Sequence, residues 1–84
     1  MNKAKQYEIV EKQILDMEYN LISEFVRLRK AAKYSQQDIA DHCKVIRTTV
    51  ARIENQMNSP QVRTMLQMLE PLGYTLKIEK IKKK

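Results

Sequence analysis

Backbone breakers are nearly absent from this chain. One glycine (Gly73), two prolines (Pro60 and Pro71) and one cysteine (Cys43) are spread over 84 residues, and there is no tryptophan. So few breakers predict a chain that is mostly helical up to Gly73. A single cysteine excludes an internal disulfide and fits a reducing compartment. No apolar run approaches the roughly 18 residues that a membrane span needs, and the polar opening from Met1 to Gln6 is unlike a signal peptide. These absences predict a cytoplasmic protein with no membrane partner. With one Phe and four Tyr, the chain is also poorly supplied with the aromatic platforms that hold single-stranded nucleic acid.

What is present describes one small globule. Hydrophobic residues make up 43% and charged residues 31%, enough for a single modest core and against wholesale disorder. The net charge is +6, but it is unevenly placed. Residues 1–19 hold three lysines against four carboxylates, a balance of −1, and residues 20–73 reach +3. Residues 74–84 hold five lysines against Glu79, a balance of +4. Most of the surplus is therefore a lysine tail, which by itself is as consistent with a solubilising end as with a nucleic-acid partner.

Apolar spacing outlines the elements. Tyr7, Val10, Ile14, Met17 and Leu21 recur at steps of three and four residues, drawing a helical stripe. The pattern restarts at Leu21, Ile22, Phe25, Val26 and Leu28, which predicts two helices meeting near Asp16–Asn20. Ser35 with Asp38 has capping-box spacing. It opens a short helix whose buried face is Ile39, Ala40 and Cys43. After Lys44 and Val45, a further short helix places Ile46, Val50, Ile53 and Met57 on one side and Thr48, Ala51, Arg52 and Asn55 on the other, with Arg47 at its N-terminal flank. Ser59 as cap and Pro60 in the first turn predict another helix, with Val62, Met65, Leu66, Leu69 and Leu72 as its apolar face. Gly73 suits a left-handed stop. Beyond it, Tyr74, Leu76 and Ile78 alternate with Thr75, Lys77 and Glu79, the rhythm of a strand. A lone strand needs a partner for its N–H and C=O groups, and a second copy of the same segment is the obvious one.

Two short helices joined by a tight turn, the second with a polar face, have the geometry of helix-turn-helix readers of DNA. The stretch from Ser35 through Asn55 strongly resembles this element in the Cro/XRE repressor family. Ser35-Gln36, Ile39-Ala40, Val45, Thr49-Val50, Arg52-Ile53-Glu54 and Pro60 fall at the family's expected positions, and the likeness covers about 50 residues, from Leu28-Arg29 to Leu72-Gly73. It implies a mostly α, lambda-repressor-type domain over residues 20–73. A helical extension (1–19) would precede it, and a strand and basic tail (74–84), pairing across a homodimer, would follow. Two positions depart from the family: Lys44 stands where glycine is usual in the turn, and Ile46 stands where a serine or threonine usually caps the reading helix. These departures bear on the turn and the cap rather than on the fold.

The resemblance also implies roles. Gln36, at a helix N-terminus, would bind a phosphate. Arg47, Thr48 and Arg52 would face base edges, since arginine forks onto the N7 and O6 of guanine. Thr49 would touch a phosphate or a thymine methyl, and Asn55 and Asn58 would add backbone contacts. For each, a merely solvated polar face is the alternative. Arg29 and Glu54 match a family salt bridge that orients the reading helix. The implied partner is a palindromic double-stranded DNA operator, bound by a homodimer joined through Tyr74, Leu76 and Ile78.

No nucleophile with a base, paired carboxylates in a pocket or phosphate loop suggests an enzyme, and no cofactor is implied. His42 beside Cys43 cannot complete a tetrahedral metal site alone, so no metal is expected and Cys43 reads as core. The ends of the chain, Glu18 to Ile22 and Leu72 to Glu79, resemble the HigA/HipB-type antitoxins. That likeness implies a cognate toxin and repression of a shared operon. On this reading Lys3–Met17 is a toxin-binding surface, or else packs on the Leu21–Leu28 helix of its own chain. A free-standing phage-type repressor or restriction–modification controller remains the alternative, and a protein-interaction module without DNA a further one.

Overall fold

The computed structural model describes residues 3–81, with side chains described from Val10 onward. The described residues form four α-helices and one 3-10 turn: α1 (Lys3–Ala31), α2 (Gln36–Cys43), α3 (Arg47–Glu54), α4 (Val62–Leu69) and the 3-10 turn Glu70–Leu72. The longest element is α1, at 29 residues. At about 1.5 Å per residue it spans roughly 43 Å, close to the 48 Å long dimension of the molecule.

The two helices expected to meet near Asp16–Asn20 are one: α1 runs through that segment without interruption. No glycine or proline lies there to stop it. The stripe restarts at Leu21–Ile22 because the helix passes from solvent into the core, not because the backbone turns. Ile22 and Phe25 are buried, whereas Val10, Ile14 and Met17 are exposed. The first half of the helix therefore cannot pack on Leu21–Leu28, which continues the same rod. Tyr7, the first position of the predicted stripe, lies outside the described side chains.

The core sits where α2, α3 and α4 close over the second half of α1. Ile39, Ala40 and Cys43 of α2, Val50 and Ile53 of α3, and Met65, Met68 and Leu69 of α4 join Ile22 and Phe25 in it. Leu21, Val26, Tyr34, Val45, Leu72 and Leu76 pack around its edge. Burying one such aliphatic or aromatic side chain contributes about 1.5–3 kcal/mol, so this cluster is the main source of stability.

Three further expectations need correction. Ile46 and Met57 are exposed, because α3 is only eight residues long and both fall beyond its ends. Val62 and Leu66 are also exposed, and the buried arc of α4 turns toward Met68 instead. The helix begins later than Ser59-Pro60 suggests. Gln61 is its N-cap, in extended conformation and without a side-chain cap, so Ser59 does not serve as one. Proline holds the preceding residue extended, which keeps Ser59 out of the helix.

Residues 74–81 have no regular secondary structure, and no strand occurs among the described residues. A strand exists only through ladder hydrogen bonds to a neighbour, and a single chain offers this segment none. Of the three alternating positions, Leu76 packs against the core while Tyr74 and Ile78 stay exposed. Gly73, at φ 86°, makes the expected left-handed stop. No helix among the described residues is long and apolar enough to cross a membrane.

Candidate nucleic-acid interface

The geometry of α2 follows from its ends. The Ser35 hydroxyl accepts the Asp38 N–H at 2.9 Å, and the Asp38 carboxylate accepts the Ser35 N–H at 2.8 Å, closing the capping box. The backbone N–H of Ser35, and then its hydroxyl, hold the Asp38 carboxyl below the usual aspartate range. At the other end Lys44 is left-handed (φ 58°, ψ 43°). The turn therefore keeps the backbone that glycine would favour, with a lysine in place. Its neighbour Val45 donates to the Ala40 carbonyl at 3.0 Å, tightening the turn into α3.

The start of α3 is different. Ile46 is its N-cap in extended conformation (φ −81°, ψ 152°), makes no side-chain cap, and is 70% exposed. Arg47, Thr48 and Arg52 are exposed on α3, and Thr49 is half-buried beside them. Thr48 and Arg52 are four residues apart and so share one face. Asn55 is the C-cap of α3 and Asn58 lies in the loop beyond it, both exposed. Val50 and Ile53 press the opposite side of α3 into the core.

A polar chain crosses the domain behind this face. Arg29, 7% exposed, donates from Nε to Glu54 Oε2 at 2.6 Å and from Nη2 to Glu54 Oε1 at 2.9 Å. Its remaining nitrogen, Nη1, donates to the Tyr34 carbonyl at 2.8 Å. Such a two-pronged, charge-assisted pair fixes orientation as well as contributing energy. It ties α1 to the end of α3. Gln36 Nε2 also donates to Glu54 Oε1 at 2.9 Å, and Gln36 Oε1 accepts from Arg47 Nη1 at 3.2 Å. Gln36 is thus turned toward Glu54 and Arg47, linking the first turn of α2 to both ends of α3. Its amide joins residues 18 and 11 positions away, and no local pattern announces such contacts.

His42 and Cys43 go separate ways. His42 Nε2 lies 2.9 Å from Glu70 Oε2 at the surface, while Cys43 is buried and burial pushes its thiol pKa up. No group of three or more His, Cys, Asp or Glu fit for a metal occurs among the described residues.

A helix-turn-helix family model matches residues 26–78 of the chain. An uncharacterised HTH-type transcriptional regulator of Haemophilus influenzae is 38% identical over 58 residues. That match covers 69% of this chain and 59% of the relative, so the chain spans well under two thirds of its length. No solved structure matches.

Proposed function

The chain belongs to the helix-turn-helix family, and from that premise we propose that it is a DNA-binding transcriptional regulator, in detail a sequence-specific repressor of double-stranded DNA. One observation carries this reading. The exposed face of Arg47, Thr48 and Arg52 lies on a helix held by the buried Arg29–Glu54 pair. On this reading α3 enters the major groove and those three side chains meet base edges. Gln36, Thr49, Asn55 and Asn58 contact the sugar–phosphate backbone, with Gln36 exchanging its contact to Arg47 for a phosphate.

The protein acts as a homodimer on a palindromic operator, the two copies pairing their Tyr74, Leu76 and Ile78 segments. The exposure of Tyr74 and Ile78 supports this. The DNA-reading domain is residues 20–73, flanked by the helical extension 1–19 and by the dimerisation segment and basic tail 74–84. The likeness of both ends to HigA/HipB-type antitoxins supports a cognate toxin, neutralised by this protein, whose operon it represses.

Binding sites selected from random duplex DNA provide the test. Arg52→Ala or Arg47→Ala should cost roughly 1–3 kcal/mol on the selected site and relax preference at single base pairs. Gln36→Ala should weaken selected and random DNA alike, since phosphate contacts carry no sequence information. Equal losses on both DNAs for all three variants would refute the assigned reading face. Co-purification of a second protein expressed from the same operon tests the antitoxin role, and a chain that brings down only DNA is a free-standing regulator.

A further inference from the structure

The first half of α1 carries an apolar stripe that the described residues leave largely exposed. Val10, Ile14 and Met17 are 49%, 58% and 55% exposed and lead into half-buried Leu21. Their steps of four, three and four residues are the alternation by which one helix faces another. At 3.6 residues per turn this stripe lies roughly a quarter-turn round α1 from Ile22, Phe25 and Arg29, which face the core. One side of the rod thus serves its own domain, while on a neighbouring side Val10, Ile14 and Met17 stay about half exposed among the described residues.

The C-terminal arm borders the same stripe. Residues 77–81 line an open cleft together with Met17, so helix and arm form one continuous surface, with Ile78 and Ile81 exposed on the arm. Its two parts differ in charge. Glu11 and Glu18 are the acidic residues that border the stripe at helical period, whereas the described arm, 74–81, carries Lys77 and Lys80 against Glu79. A surface with an acidic half and a basic half is complementary to its own copy under a two-fold axis, where each residue's partner is supplied by the same patch.

We propose that the occupant of this surface is a second copy of the chain: α1 stripe packs on α1 stripe, and each arm lies along the partner's acidic helix. This deepens the dimer reading above, on which it rests, because pairing of the arms alone does not engage α1. It also gives α1 a second task. The helix that joins the copies is the helix that Arg29 ties to Glu54 of α3, so the separation of the two reading helices is set through one unbroken rod.

Sedimentation of the purified chain without DNA tests the proposal. Ile14→Glu places a charge at an exposed position, so helical content should hold while the dimer dissociation constant rises at least tenfold and the melting temperature falls only by what loss of the dimer removes. Glu11→Lys with Glu18→Lys, and separately Lys77→Glu with Lys80→Glu, should each weaken the dimer. Mixing those two charge-reversed proteins should restore it as a heterodimer. An Ile14→Glu chain that dimerises as tightly as wild type would overturn the proposal, leaving the arms as the whole interface. No recovery on mixing would overturn the crossing of arm onto helix. A wild-type chain still monomeric at tens of micromolar would overturn both. A chain that dimerises as described yet selects no DNA would sink the DNA reading and leave this inference standing.

Discussion

The helices α2 and α3 are equal in length, eight residues each, and opposite in how they are secured. In α2 both ends are closed, by the Ser35–Asp38 box and by left-handed Lys44, and three residues are buried. By contrast, α3 has no side-chain cap, buries two residues and leaves Ile46 and Arg47 exposed at its start. Its orientation comes from outside, through Glu54 to Arg29 and Gln36. Local stability is concentrated in α2, and α3, the proposed reading helix, is held by its neighbours. On the proposed reading, the local rule of capping is broken where a surface is kept for another molecule.

The sharpest way to break this contrast is to cut the outside support. Arg29→Ala leaves Glu54 buried without its charge partner and should cost about 3–5 kcal/mol in chemical denaturation. Replacing the whole pair with apolar residues should cost far less. Ile39→Ala in α2 comes next, at about 2–5 kcal/mol for a fully buried aliphatic side chain. Arg52→Ala in α3, the counterpart surface change, should shift unfolding by no more than about 0.5 kcal/mol. Capping separates the two helices more finely. Ser35→Ala should lower stability by about 1 kcal/mol, while Ile46→Ser, giving α3 the cap it lacks, should raise it by up to about 1 kcal/mol.

The smallest expected effect is a pH dependence confined to α2. The Asp38 carboxyl is held below its ordinary range by its hydrogen bonds to Ser35. Its contribution is therefore complete above the unfolded aspartate pKa and is lost as pH falls through the lower folded value. Acid titration of Asp38→Asn should lack that part of the loss. An unchanged acid profile would show that the box contributes nothing through charge.

The domain around these helices was largely legible before its structure. The spacing of Ile39, Ala40 and Cys43, and of Val50 and Ile53, placed the buried faces of α2 and α3, and Ser35 with Asp38 marked where α2 begins. Each of those signals is local, completed within a turn or two of helix. The expectations that failed depended on something distant. An uninterrupted α1 hides behind a stripe that changes because its surroundings change. The arm reads as a strand because alternation records which side chains seek cover, not whether a partner is there. In α4 Val62 and Leu66 are as apolar as Met68, and only packing decides which of them is buried. At the candidate site, exposure of Arg47, Thr48 and Arg52 follows from helical period, whereas the turning of Gln36 toward Glu54 depends on how three helices meet.

Cys43 gives the protein an internal clock for its own opening. The thiol belongs to the buried core cluster, and desolvation raises its pKa, so the reactive thiolate is suppressed twice over. An alkylating reagent can then modify it only in the fraction of molecules whose core has transiently separated. The labelling rate divided by that of an unprotected thiol is the equilibrium constant for that separation. Measured with and without duplex DNA, this single native atom tests whether the proposed DNA binding quiets the fluctuations of the core, with no probe introduced.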